Sequence, residues 1–168
     1  MKINYDTKPK ITIDLDPVLE AYCRLVFRTP PDQKEIIINR KLREGQAIYS
    51  KVYPVEFPPK KPFRDNPVTI ILPLTKNNQG VLKYRFYHVS KMGEEQIHDD
   101  LEVLMQKWLF KFFQHGYQKK YSQDEIVNAV LRGLNMRKNV INFDAIKKFD
   151  YRCRRKSEEE TYRELLID

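Results

Sequence analysis

The spacing of apolar positions changes once along the chain. Up to about residue 90 they alternate or cluster in short runs; beyond it they recur every three or four residues. In the first region KITID (10–14) alternates and predicts a strand. A helix follows, with Asp16 as N-cap, Pro17 at the tolerated first position, and Val18, Tyr22, Leu25 and Val26 at helical spacing. The run Thr29-Pro30-Pro31 ends it. EIIIN (35–39) and QAIYSKVY (46–53) read as short strands on either side of a turn marked by Gly45. A proline-punctuated loop over 53–67 separates them from the strongest hairpin pattern, VTIILPL (68–74) and VLKYRFYHV (81–89), joined through TKNNQG.

Beyond Ser90 the helical period takes over. Ile97, Leu101, Leu104, Trp108 and Phe112 mark one stripe, widened by Met105 and Leu109, with Gly116 expected to cap the end. SQDE (122–125) has the spacing of a capping box before a helix carrying Ile126, Ala129, Val130 and Leu134. A basic helix is predicted over 142–156, with Asn142 as N-cap and Asp144 in the first turn. Its apolar phase fails beyond Lys156, and SEEE offers a new start at Ser157. A separate terminal helix over 158–167 is therefore expected, its Leu165 and Leu166 docking on the body or on another subunit. All ten prolines lie at or before Pro73. The fold class this implies is α+β: a small, mainly antiparallel sheet with one early helix (residues 1–90), then a helical half (91–168) packed by Trp108, Phe112, Phe113 and Phe149.

Composition narrows the function classes. At 168 residues with 41% hydrophobic content, the chain can bury a core and is not a disordered segment. Cys23 and Cys153 match no metal-type spacing and suit a reduced, cytoplasmic protein. The N-terminal MKINYDTKPK has no apolar leader core, and no apolar run approaches the ~18 residues of a membrane span, so no membrane partner is expected. The net charge of +8 matters less than its placement: Met105–Lys156 holds thirteen Lys or Arg against four Asp or Glu. Acidic stretches bracket it, with five acids in Glu94–Glu102 and five from Ser157 onward.

On a helix, Phe143, Ile146, Phe149 and Cys153 fall on one arc, and Lys148, Tyr151, Arg152 and Arg155 on the opposite side. The functional expectation is phosphate contact by Lys148, Arg152 and Arg155, with Arg137, Lys138, Lys147 and Arg154 at the edges. The competing expectation is a solvated face balanced by i,i+4 pairs, Asp144 with Lys148 and Asp150 with Arg154. Two helices in succession resemble a helix-turn-helix in outline, but the connector from Gly133 to Asn142, about nine residues, exceeds that motif's three or four.

Other constellations are weaker. KYRFYH (83–88) interleaves aromatics with cations, but period two sends Tyr84 and Phe86 to a core and leaves one aromatic, Tyr87, on the polar face. Lys60 and Lys61 form a basic finger or a plain solvated loop. Asp14 and Asp16 share a strand face as metal-binding carboxylates would, yet Asp16 is already accounted for as an N-cap. His88, His98 and His115 lack a triad context, and no phosphate loop, HExxH or CxxC occurs, so no catalytic residue, metal or cofactor is expected.

The chain therefore reads as a non-enzymatic nucleic-acid-binding protein, with DNA ahead of RNA as partner. The alternative is an assembly subunit of a larger complex, such as that of a phage or mobile element. There the proline-rich loop and acidic terminal helix would be interfaces, the basic stretch would meet an acidic protein surface, and homo-oligomers are allowed.

Overall fold

The computed structural model describes residues 8–60, 65–73 and 86–166. Its elements are β1 (Lys10–Asp14), α1 (Pro17–Val26), β2 (Ile36–Ile37), α2 (Arg43–Tyr49), β3 (Tyr53–Val55), β4 (Pro67–Ile71), β5 (Phe86–His88), α3 (Lys91–Gln118), α4 (Gln123–Gly133) and α5 (Val140–Leu165). This is the expected α+β class, with small antiparallel and mixed sheets and early helices, then a helical half. Two compact units divide the chain after Glu102, not after residue 90, because the first turns of α3 belong with the strand-rich unit.

In the first unit β4 is the central strand, antiparallel to β1 and parallel to β2. Ile11 lies opposite Ile70 and Ile13 opposite Val68, so the period of two sends all four inward. The opposite face carries Thr12 and Thr69, whose hydroxyls lie 3.5 Å apart. Ile36 joins the buried set across from Ile70. Full burial of each such isoleucine contributes roughly 1.5–3 kcal/mol.

The expected hairpin is not made by the residues described. Residues 74–85 lie outside the described set, β4 pairs with β1 and β2, and β5 pairs with β3 in a second sheet. That pairing fixes the phase of β5: Tyr87 is buried and Phe86 only half-buried, the reverse of the expected alternation. Tyr53–Val55, expected within the loop, is strand β3, so the loop is shorter; Lys61 lies outside the described residues.

Arg43–Tyr49 is a helix and not a strand. Gly45 makes no turn there. A Cβ on it would sit 1.9 Å from the Asn39 carbonyl oxygen, so glycine permits a backbone contact, and Gly45 and Ile48 form a buried pair at helical spacing. In α1 the buried residues are Leu19, Tyr22 and Cys23, while Leu25 is exposed, so the inward face is rotated from the expected one. Burial, then the Glu44 charge, push the Cys23 thiol up to about 12.

Ser90 starts α3, its hydroxyl accepting from the Gly93 N–H at 3.0 Å. The buried track runs through Gly93, Ile97, Leu101, Met105, Leu109 and Phe113, one residue in four. A strict four-residue step advances about 40° per repeat on an ideal helix, so the track precesses away from Phe112, which is 37% exposed. Trp108 and Phe149 are half-buried, leaving Phe113 as the one fully buried member of the expected aromatic set.

Gly116 does not cap α3. It lies inside the helix, where a Cβ would meet Ile126 at 2.7 Å. The helix ends in a Schellman motif with Lys120 in the left-handed region (φ 65°), the Tyr121 N–H bonding the Gly116 carbonyl. Arg28 and Asn135 close α1 and α4 in the same way. Thus every non-glycine residue with positive φ among those described ends a helix.

The capping box before α4 is present: Ser122 accepts from the Glu125 N–H, and the Glu125 carboxylate accepts from the Ser122 N–H at 2.8 Å. Buried residues of α4 are Ile126, Val127, Val130 and Leu131, with Leu134 just beyond, while Ala129 is half-buried. The N-cap of α5 is Asn139, not Asn142; its side-chain oxygen accepts from the Asn142 N–H at 2.8 Å. The connector between α4 and α5 is therefore six residues, 134–139, shorter than expected. The helix then runs unbroken through Ser157 to Leu165, and the described residues form no separate terminal helix.

Candidate nucleic-acid interface

The two units contain different chemistry, and the cationic candidates all lie in the second. On α5 Ile146 and Asp150 are buried, and Phe143, Phe149 and Cys153 are half-buried. The opposite face exposes Asp144, Lys148, Tyr151, Arg152 and Arg155. The seven candidate cations separate into three groups.

Arg154 is bound in a network. Its guanidinium pairs with the Asp150 carboxylate at 3.0 Å, donates to the Tyr117 oxygen, and lies 4.5 Å over the Tyr117 ring. Asp150 is 4% exposed and also accepts from the Tyr117 hydroxyl at 2.8 Å and from Gln123 Nε2 at 2.6 Å. A buried carboxylate with three donors is satisfied, and its charge is balanced where it sits. Burial, then the bond to Asp150, raise the Tyr117 pKa. For Arg154 burial opposes the charge, but Asp150 and Tyr117 outweigh it and hold the guanidinium pKa above its ordinary value.

Lys147 is intermediate: half-buried, 3.9 Å from the Asp124 carboxylate and 5.8 Å from the Phe143 ring centre. Arg155 pairs with Glu159 at 3.2 Å across the expected helix break, with both side chains well solvated, a contact that contributes little.

Lys148 and Arg152 are exposed and have no ion-pair or hydrogen-bond partner among the described residues. The expected Asp144–Lys148 pair is not among the ion pairs found, whereas the Asp150–Arg154 pair is. One helical turn apart, Lys148 and Arg152 form a ridge that Tyr151 and Arg155 flank. Arg137 and Lys138 are exposed in the connector, where the Arg137 carbonyl accepts from Asn142 Nδ2. The structure thus brings Lys148, Arg152 and Arg155 onto one face and withdraws Arg154 from it.

Beside the Arg154 network a cleft of about 480 Å³ opens between Phe110, Phe113, Tyr117 and Arg154. Sequence reasoning did not find it. Asp150, an acid one turn after Ile146 on the apolar arc, was the available signal.

In the first unit, Asp14 and Asp16 do not converge. Asp14 accepts from the Asn66 N–H at 2.7 Å, and Asp16 holds the expected N-cap position of α1, but its side chain makes no cap bond and contacts His98 Nε2 at 2.9 Å. His98, Asp99 and Glu102 place ligand-type atoms within 4.8 Å of one another. Three such donors can meet a divalent cation, but Asp99 is exposed, and surface acids gather in this way without one.

No known family model, curated protein or solved structure matches the chain significantly. Among the described residues no helix is long and apolar enough to cross a membrane.

Proposed function

We propose that this is a non-enzymatic nucleic-acid-binding protein whose contact surface is the Lys148–Arg152 ridge of α5. The observation that carries the reading is that these two cations are exposed and have no ion-pair or hydrogen-bond partner among the described residues, while nearby Arg154 is neutralised by Asp150. Cations without internal partners are the ones whose binding to phosphate releases counterions with no ion pair to break first. Arg155, Arg137 and Lys138 extend the surface, and the ridge supplies positioning contacts more than sequence readout. DNA stands ahead of RNA as the partner, and a cytoplasmic location, which keeps the thiols of Cys23 and Cys153 reduced, belongs to the same reading.

The test is fluorescence anisotropy with labelled duplex and single-stranded oligonucleotides at several salt concentrations. Binding that weakens steeply with salt, with each phosphate contact contributing a log–log slope of roughly 0.7–0.9, supports the reading. Indifference to every nucleic acid overturns it.

A second reading has its own observation. Phe57 in the proline-rich segment is 64% exposed and Leu166 at the end of α5 is 75% exposed, as apolar anchors of an assembly subunit would be. Concentration-dependent oligomers in sedimentation, abolished by Leu166→Glu, would support it; a monomer at all concentrations would sink self-assembly.

A further inference from the structure

We propose that the cleft beside Tyr117 receives an unpaired nucleobase, so that the protein prefers single-stranded nucleic acid over duplex; this rests on the nucleic-acid reading above. Three features argue for it. The first is the walls. Phe110, 41% exposed, offers an accessible ring beside the buried Phe113, and the half-exposed Arg154 guanidinium, 4.5 Å over the Tyr117 ring, offers its own plane in place of the ring face it covers. Every base has a π-face, so stacking on such walls needs no particular sequence. The second is the polar rim. Gln114 and Gln118 stand one turn apart on α3 and line the same cleft. Their amides offer both donors and acceptors, the complement of a base edge that is no longer paired.

The third is charge placement. Arg154 is already neutralised by Asp150, so the cleft itself does not compete for phosphate. The exposed cationic face belongs to the same helix. Lys148 and Arg152 lie about 120° and 160° round the helix from Arg154, and Arg155 of the same exposed face about 100°, an arc of roughly 10 Å on a helix some 10–12 Å across. That is the scale of a nucleotide from phosphate to base edge. A strand whose phosphate meets Arg155 at the edge of that face can therefore drop a base into the cleft. A duplex must first extrude one, at a cost of a few kcal/mol. The volume of about 480 Å³ falls in the range of small-molecule sites.

The experiment compares three labelled ligands of equal length: a mixed-sequence single strand, the same strand made wholly abasic, and the blunt duplex. Each is titrated with wild type and with Phe110→Ala, whose ring is 41% exposed and whose loss spares the core. The expected result is that wild type binds the single strand about 5- to 100-fold more tightly than the abasic strand, as one stacked base would give. Phe110→Ala should remove most of that difference and leave the salt slope unchanged. If wild type binds single and abasic strands alike, or Phe110→Ala matches wild type on every ligand, the cleft takes no base, while a steep salt slope still upholds the ridge. If wild type binds none of the three, both readings fail together.

Discussion

Arg152 and Arg154 are two residues apart on one helix, carry the same charge, and have opposite environments. Arg154 is tied to Asp150 and Tyr117 within the second unit; Arg152 is exposed, with no ion-pair or hydrogen-bond partner among the described residues. Their difference shows why net charge is a poor measure of binding capacity. Of the seven cations that the sequence nominates, Arg154, Lys147 and Arg155 have acidic partners within the protein. The comparison between a locked face and an open ridge therefore replaces the simple count of positive charges.

The comparison breaks most visibly through Asp150. Asp150→Ala strips the acceptor from Tyr117, Gln123 and Arg154 at once, and should cost about 2–3 kcal/mol in urea denaturation. Arg152→Ala should stay within about 0.5 kcal/mol of wild type. Equal costs would mean that the two faces are not energetically distinct.

Alkaline titration sharpens it further. Because burial and Asp150 raise the Tyr117 pKa above 10.0, the folded state holds that proton more tightly than the unfolded state. The stability from this group is full below pH 10.0 and is lost as pH rises through the higher folded value. Tyr117→Phe should therefore flatten the alkaline limb of a stability–pH curve, whereas Arg152→Ala should leave its shape intact. An unchanged limb in Tyr117→Phe would remove the proposed role of the network. The smallest expected effect is at Glu159, the solvated partner of Arg155. Glu159→Gln frees that arginine and should tighten nucleic-acid binding by about twofold in anisotropy, the size of a weak surface pair.

Much of the architecture was legible because it is periodic. The alternation of KITID marks β1 to the residue, and SQDE marks the start of α4. Where local signals conflicted with tertiary context, they misled. Ser157–Glu160 has capping-box spacing, yet α5 passes through it, since extending an existing helix adds a bond per residue whereas a new start must nucleate again. Gly45 looks like a turn until the Asn39 carbonyl that excludes a side chain is known. The ridge was readable because its residues share a helix and a period. The Asp150 network was only half readable: Arg154 lies at i+4, but Tyr117 and Gln123 come from 33 and 27 residues away. No spacing rule reaches that far.

The central claim is that placement, not total charge, makes the binding surface. The most direct measurement is the salt dependence of single-strand and duplex binding for three proteins: wild type, Lys148→Ala/Arg152→Ala, and Lys107→Ala/Lys111→Ala. Lys107 and Lys111 are exposed on α3, so the last variant removes the same charge from another element. The account predicts that the ridge variant lowers the log–log slope by about 1.4–1.8, two contacts' worth, while the α3 variant barely changes it. Equal losses in both variants, or no loss in either, would contradict it.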